Sequence, residues 1–363
     1  MKVKVEMQVK VRELENVMVE PSVMEGWEKW GQLFTEHFIG RTPNAARCKI
    51  RNYKKIRFRY FKKSNRVIAW CDEPLLIENK ALGYTLRYQL ENFEVDFSQN
   101  LTTFAGFPFF EDHGGAGKKV KNRFRSARDK AYHGSMMEFW RSVQKNSLQA
   151  DGYELRRMTR TQNYEKQRVR SIYSGRNMVI SVKGTAGPVS VRRTDSLAAR
   201  VPVSDTIGLT DTNRLTNTIR STDPNRLTDT IHSTDINRVV VDSSQYYERI
   251  LREKDNIDTY SHHTLTADSI VIKSEGAYRL VWFSDYLFVT YKKELEDPLY
   301  LESFMERRSP TFQQSHIWLT TGDAIVVDGN GSYSPPQEVF SMSYWGWSEK
   351  IANLLPIDYQ PGD

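Results

Sequence analysis

The stretch EPLLIENKALGYTLRYQLENFEVDF, residues 73–97, contains two kinds of element in succession. Its first part, PLLIENKAL, starts with a proline and stops before a glycine, which is typical of a short helix. Its second part alternates as a strand does, with apolar residues at even positions up to Leu90 and at odd positions from Phe93. Since one extra residue moves the side chains of a strand to its other face, the change of parity predicts a bulge near Glu91-Asn92.

Helices and strands are also predicted on both sides of this stretch, from apolar residues spaced by three and four or by two. Short alternating segments resume after the middle of the chain and predict further strands. The main elements expected are a helix over 24–38, a hairpin over 54–70, a strand over 101–110, two helices over 119–145 that meet at His133-Gly134, and a helix near 347–355. The sequence therefore predicts an α+β fold, with antiparallel sheets flanked by helices and a long low-complexity insertion.

The insertion divides the chain. No aromatic residue occurs from 174 to 245, and a repeat of twelve residues starts at Asp211, Asp223 and Asp235. A segment without aromatic residues builds little core, so this insertion is predicted to be flexible. The predicted segments are two orphan strands in 1–22, the first part of an α+β domain in 23–173, the insertion in 174–245, and a mainly β second part with a C-terminal helix in 246–363.

One face of the predicted hairpin is basic. Residues 47–63 hold nine lysines and arginines and no acidic residue, interleaved with aromatic residues. Lys55, Arg57 and Arg59 alternate along the hairpin and form a candidate anion-binding surface. A basic strand face is more often simply solvated, and no specific nucleic-acid binding is expected.

Composition and motifs argue against several classes of protein. Lysine and arginine outnumber aspartate and glutamate by 52 to 45, which gives only a weak preference for anionic partners. No run of about 18 or more apolar residues exists, so no transmembrane helix is predicted. None of the seven histidines has a glutamate three residues later, as a zinc peptidase motif requires. We therefore predict no catalytic, cofactor-binding or metal-binding residues and no cofactor. Whether Cys48 and Cys71 form a disulfide is left open.

Several segments together resemble one family. The segments are FTEHFIGRTPNAARCKIRN, the opening stretch, ARDKAYHGSMMEFWRSV with LQADGYEL, and SYWGWSEKIANLLPIDYQP, which span most of 25–160 and 246–360. In these the chain resembles the carboxypeptidase-like regulatory domain-containing proteins of the Bacteroidota. The resemblance implies a protein of the cell envelope, in the periplasm or at the outer membrane, whose family members carry a signal peptide and a transthyretin-like β-sandwich before this region.

The resemblance also bears on the first residues and on function. It implies that 1–22 is the remnant of the β-sandwich, and that the signal peptide and most of the sandwich are missing from this chain. The family's sandwich carries no catalytic residues. The expected role is therefore non-enzymatic binding or scaffolding, with a glycan, a peptide or another envelope protein as ligand. Trp345 and Trp347 are expected in the core, but would serve as stacking platforms if exposed.

Two alternatives stay open at this point. The first is a peptide or glycan hydrolase that uses Glu111 and Asp112 beside His113 in a glycine-rich loop. The second and weaker alternative is binding of an anionic polymer through the basic hairpin. The oligomeric state is also open.

Overall fold

The computed structural model describes residues 20–113, 121–174 and 245–362. The chain divides into two compact units: one combines the residues up to Thr159 with those from Thr259, and the other spans Arg160–Asp258. The predicted orphan strands, the twelve-residue repeat and most of the predicted insertion lie outside the described residues.

The first unit begins with a seven-stranded antiparallel sheet, here called the first sheet. Its order is β1-β3-β4-β6-β5-β2, and β7 pairs with β6. The strands are β1 (Ser22–Glu25), β2 (Cys48–Ile50), β3 (Arg57–Phe61), β4 (Arg66–Trp70), β5 (Leu75–Asn79), β6 (Tyr84–Asp96) and β7 (Leu101–Asp112).

The helix predicted for PLLIENKAL is wrong, because these residues form β5 and the turn that follows it. Leu75, Ile77 and Asn79 point inward and are fully buried. Alternation of buried and exposed positions has outweighed the proline and glycine signals. Gly83 adopts a φ of 74° in the turn that joins β5 to β6, rather than ending a helix.

The predicted bulge is confirmed. Leu90 pairs with Gly106 and Asn92 pairs with Ala105, so Glu91 is the extra residue of β6. The apolar side chains at even positions before the bulge and at odd positions after it therefore face the same core, because the extra residue shifts the alternation by one position.

Helices cover the inner face of the first sheet. The predicted helix over 24–38 is α1 (Trp27–Phe34), which continues as a π-helical turn over Thr35–Ile39. Phe34 and Phe38 are fully buried and contact Phe93 of β6, with the Phe34 and Phe93 ring centroids 4.6 Å apart.

Two further helices follow at the predicted places, α2 (Asn122–Tyr132) and α3 (Met136–Lys145). They are separated at His133-Gly134, as predicted. Ser135 caps α3, because its side chain accepts a hydrogen bond from the backbone N–H of Glu138.

The remainder of the first unit contains two more antiparallel sheets. The second sheet has the order β10-β11-β14-β15, and the third sheet has the order β16-β13-β12-β8-β9. Trp140 and Phe139 of α3 are buried in the core that these sheets share. The elements are β8 (Tyr153–Gln162), β9 (Asn256–Tyr260), β10 (Val271–Glu275), β11 (Tyr278–Val281), β12 (Tyr286–Leu295), β13 (Phe312–Leu319), β14 (Ile325–Val327), β15 (Tyr333–Ser334) and β16 (Val339–Ser343).

The second unit contains α4 (Tyr164–Ser174) and α5 (residues 245–252), together with the ends of β8 and β9. Within this unit, the Arg160 side chain donates two hydrogen bonds to the Asp258 carboxylate, at 2.6 and 2.8 Å.

Two short helices complete the chain, α6 (Pro298–Ser303) and α7 (Tyr344–Ser348). The final helix predicted near 347–355 is wrong in extent, since α7 ends at Ser348 and a 3-10 turn occupies Ile351–Asn353. The fold is α+β, with antiparallel sheets flanked by helices. Across the described ranges, no helix has the length and apolar character needed to cross a bilayer.

Candidate functional site

The three predicted anion-binding residues lie at the start and along the outer face of β3. Lys55 belongs to a 3-10 turn before the strand, whereas Arg57 and Arg59 project outward from it. Lys55 Nζ lies 3.0 Å from Glu73, and Arg57 lies 3.3 Å from Asp72. The Arg59 guanidinium instead lies over the ring of Trp70, 5.5 Å from its centroid. The two carboxylate pairs are exposed and therefore weak, so a ligand could replace either acid.

The residues of the hydrolase alternative are not brought together. Glu111 pairs with Arg87 at 2.7 Å, and Asp112 pairs with Arg128 at 3.0 Å. His113 contacts the Thr85 hydroxyl through Nε2 at 2.7 Å. Because neighbouring strand residues face opposite sides, each group has a partner of its own and no acid–base pair forms among them.

Trp345 and Trp347 are buried, with 2% and 6% of their surface exposed. The indole N–H of Trp345 donates to the Gly134 carbonyl at 2.7 Å, and Trp347 packs on Tyr300. Both therefore act in packing, and neither is available as a stacking platform.

A cavity lies between the end of α2, the end of β12 and the segment after α7. Its volume is about 70 Å³. Ligand pockets for drug-sized molecules span about 300–1,000 Å³, so this cavity suits only a small group. The lining residues are Thr42, Pro43, Asn44, Lys130, Ala131, His133, Gly134, Ser135, Glu294, Asp297, Gln313, Tyr344, Trp347, Ser348, Glu349 and Asn353.

A hydrogen-bonded histidine and glutamate occur at this cavity. His133 Nδ1 lies 2.9 Å from Oε1 of Glu138, which is buried. The other oxygen of Glu138 accepts from the Gly134 N–H at 2.7 Å and from the Tyr153 hydroxyl at 3.0 Å. Three donors thus hold the carboxylate, and the carboxylate orients the imidazole so that Nε2 is its remaining hydrogen-bonding atom.

Two carboxyl groups of the cavity wall have altered acidity. Burial raises the pKa of Glu349 to about 7, and this effect outweighs a hydrogen bond from the Met136 N–H and the neighbouring charge of Lys350. Burial also raises the pKa of Glu294, whose side chain accepts from Gln313 at 3.2 Å. Perturbed carboxyls beside an oriented histidine are a common property of functional sites.

Metal binding has no support in this cavity. Within the described part of the chain, no three His, Cys, Asp or Glu side chains are grouped closely enough to hold a metal ion. Cys48 and Cys71 are free thiols, and burial raises the pKa of Cys48 to about 12, which disfavours its thiolate.

A different kind of surface lies on the outer face of the first sheet. Phe107 and Phe109 of β7 are 69% and 63% exposed, while Phe104 on the opposite face contacts Phe38 in the core. Leu76 of β5 is 38% exposed and lies in the same cross-strand row as Phe109. Phe107, Phe109 and Leu76 are called the outer apolar surface below.

The two phenylalanines of the outer apolar surface have a regular spacing. The two phenylalanines are two residues apart, which corresponds to about 7 Å along a strand. Arg87 pairs with Phe109 in the sheet register and forms an ion pair with Glu111 at 2.7 Å. The adjacent charges therefore neutralise each other, and apolar area is what this surface offers to a ligand.

Comparison of the chain with protein-family profiles, with curated proteins and with solved structures gives no match.

Sequence reasoning missed both the His133–Glu138 pair and the outer apolar surface. The histidines were compared with glutamates three residues later, whereas Glu138 is five residues after His133. The FPFF segment of β7 carried a usable signal, since apolar residues at consecutive positions in a strand must place some side chains on the outer face.

Proposed function

We propose that the protein is a non-enzymatic binding or scaffolding module of the bacterial cell envelope. The resemblance to the carboxypeptidase-like regulatory domain-containing proteins supports the compartment and the absence of catalysis. The outer apolar surface is the observation that carries the binding role, because its two phenylalanines are far more exposed than packing requires.

A protein or peptide is the favoured ligand of this surface. Phenylalanine rings supply apolar area but no hydrogen bonds, and the nearby Arg87 and Glu111 are engaged with each other. Sugar recognition needs polar groups beside the rings, so a glycan is less well matched. Arg87 lies between Leu76 and Phe109 in the cross-strand row, so an apolar side chain of an envelope protein would pack on the two rings themselves.

The partner is expected to meet the rings rather than extend the sheet. β7 pairs only with β6 among the described strands, so its other edge is open. Pro108 lies between the two exposed phenylalanines and lacks the N–H that strand addition requires. The affinity for the partner should therefore come mainly from side-chain contacts with the two rings.

Crosslinking tests this role. A photo-crosslinking residue at position 107 should capture one envelope protein, and the purified partner should then bind the wild type but not the double variant Phe107→Ala, Phe109→Ala. Loss of the two rings should weaken binding by about 2–4 kcal/mol if they are hot spots. Tyr278→Ala, which removes a 57% exposed ring from the second sheet, is the control. Equal binding of the partner by the wild type and the double variant would contradict the proposal.

A hydrolase is the second candidate, and the His133–Glu138 pair is the observation that favours it. With Nδ1 held by Glu138, Nε2 of His133 could take a proton from water while the water oxygen attacks a carbonyl carbon. The same proton would then pass to the leaving group as its bond to carbon breaks.

Turnover assays separate the two candidates. Ester, peptide and glycan substrates should be hydrolysed by the wild type, and His133→Asn should lower kcat by about 10²–10⁴. His113→Asn is the matched control, since the His113 imidazole bonds to the Thr85 hydroxyl and lies outside the cavity lining. Absence of turnover on every substrate would contradict the hydrolase and leave the binding module as the remaining candidate.

A further inference from the structure

Four cations of the basic hairpin make no ion pair within the described residues. They are exposed and occur within ten positions of one another: Lys54, Arg59, Lys62 and Lys63. By contrast, the neighbouring Lys55, Arg57 and Arg66 each have a carboxylate within 4.0 Å. Lys63 also interacts electrostatically with Glu20 at the hairpin turn. Carboxylates therefore neutralise the positive charge of the hairpin only in part.

An aromatic ring beneath one of these cations fixes its guanidinium group. Arg59 lies over Trp70, with 5.5 Å to the ring centroid. Such a contact holds a planar cation at the surface without neutralising it. The charge of Arg59 is thus presented from a strand of the first sheet.

An exposed aliphatic side chain lies beside these cations. β1 is the strand next to β3, and Met24 of β1 pairs with Arg59 in the register, so the two side chains share one face of the sheet. Met24 is 54% exposed. Cations and aliphatic side chains at one sheet edge are the combination that binds an interface between phosphate groups and acyl chains.

A lipid surface accounts for both features, whereas a soluble polyanion accounts for only one. Phosphate headgroups would meet Lys54, Arg59, Lys62 and Lys63 by charge complementarity. Met24 would enter the boundary between headgroups and acyl chains, where an acidic polysaccharide or nucleic acid offers it no apolar contact. We propose that the basic hairpin and β1 dock the protein onto a bilayer containing anionic phospholipids.

This proposal goes beyond the proposed function and uses different residues. The outer apolar surface is on β5 and β7, and β1 and β7 occupy opposite positions in the strand order, with three strands between them. Failure of lipid docking would therefore leave partner binding at Phe107 and Phe109 unaffected, and the reverse also holds.

Vesicle co-sedimentation tests the proposal. The wild type should bind vesicles of phosphatidylcholine mixed with phosphatidylglycerol, and should not bind phosphatidylcholine alone. The triple variant Arg59→Gln, Lys62→Gln, Lys63→Gln should bind about a hundred-fold more weakly, because each cation near an anionic surface contributes about five-fold. Added salt should weaken wild-type binding in the same direction.

A matched charge control uses cations elsewhere in the same unit. Lys273→Gln, Lys293→Gln and Arg307→Gln remove three exposed charges from other surfaces, and this triple variant should bind like the wild type. Equal losses in both triple variants would overturn the proposal, since net charge and not the hairpin would then govern binding.

The apolar contribution is tested separately. Met24→Ser should weaken binding to the mixed vesicles by several-fold while leaving the melting temperature unchanged, because the side chain is already half exposed. Unchanged vesicle binding by Met24→Ser, together with full competition by a soluble acidic polysaccharide, would contradict docking on lipid and favour a polyanion instead.

Discussion

Glu138 joins the imidazole of His133, the backbone N–H of Gly134 and the phenol of Tyr153 through its two carboxylate oxygens. These groups come from the junction of α2 and α3 and from β8. One buried carboxylate therefore links the helix junction to the third sheet.

Replacing Glu138 should be costly. Glu138→Ala leaves the Gly134 N–H without its acceptor and leaves the Tyr153 hydroxyl with only the longer contact to the Ser135 carbonyl at 3.3 Å. A buried donor that loses its acceptor costs about 1–3 kcal/mol. We expect a decrease of about 3 kcal/mol in the free energy of unfolding, measured by urea denaturation. Glu73→Ala removes an exposed partner of Lys55 and should change stability by less than about 0.5 kcal/mol. Similar losses in both variants would show that the three hydrogen bonds contribute little.

The pKa of Glu349 predicts a pH effect on stability. This pKa is raised from 4.5 to about 7 in the folded protein, so folding opposes ionisation of the carboxyl. Wild-type stability should be unaffected by this group below 4.5 and should fall as the pH rises towards 7.

Glu349→Gln removes the charge but keeps an oxygen that can accept from the Met136 N–H. Above pH 7 the variant should be more stable than the wild type by about 2 kcal/mol, after allowance for partial exposure, and near pH 4.5 the two should be equal. Thermal melting at both pH values gives the measurement. A difference that did not depend on pH would rule out the titration of Glu349 as its cause.

The two faces of the first sheet should respond differently to loss of a phenyl ring. Phe93 is fully buried and contacts Phe34, so Phe93→Ala should cost about 3–5 kcal/mol. Phe109→Ala on the outer face should cost less than about 0.5 kcal/mol. Chemical denaturation of both variants gives the comparison, and a large loss from Phe109→Ala would mean that this ring packs within the fold.

Gly83 should be harder to replace than another glycine of similar conformation. Both Gly83 and Gly276 have positive φ values, 74° and 57°, which cost about 1 kcal/mol for alanine. A Cβ at Gly83 would also lie 2.5 Å from the ring of Phe124, whereas one at Gly276 would meet no atom within 4 Å. Gly83→Ala should therefore lower the melting temperature well beyond Gly276→Ala, and equal shifts would mean that Phe124 moves aside freely.

Local features of the fold could be predicted because their causes are local. The bulge at Glu91 follows from parity, and the cap at Ser135 follows from a side chain that bonds three residues along. The helix predicted for PLLIENKAL was wrong because a proline and a glycine can flank a strand as well as a helix. The buried positions of β5 at Leu75, Ile77 and Asn79 were set by pairing with β6, which is a tertiary effect.

The cavity could not be predicted from the sequence. Its walls combine residues near 42, 130, 294 and 349, whose proximity depends on the packing of elements far apart in the chain. The acidity of Glu349 likewise follows from burial, and no sequence pattern encodes burial for a residue in an irregular segment.

The last residues of the chain belong to the core of its first sheet. Ile351, Ala352, Leu355 and Tyr359 pack with side chains of β2 to β6, and Asn79 donates to the Ala352 carbonyl at 2.9 Å. During synthesis, the part of the inner face that these residues cover therefore stays exposed until they have left the ribosome. Such a nascent chain exposes apolar surface throughout translation and is a natural client for chaperones that bind unfolded segments.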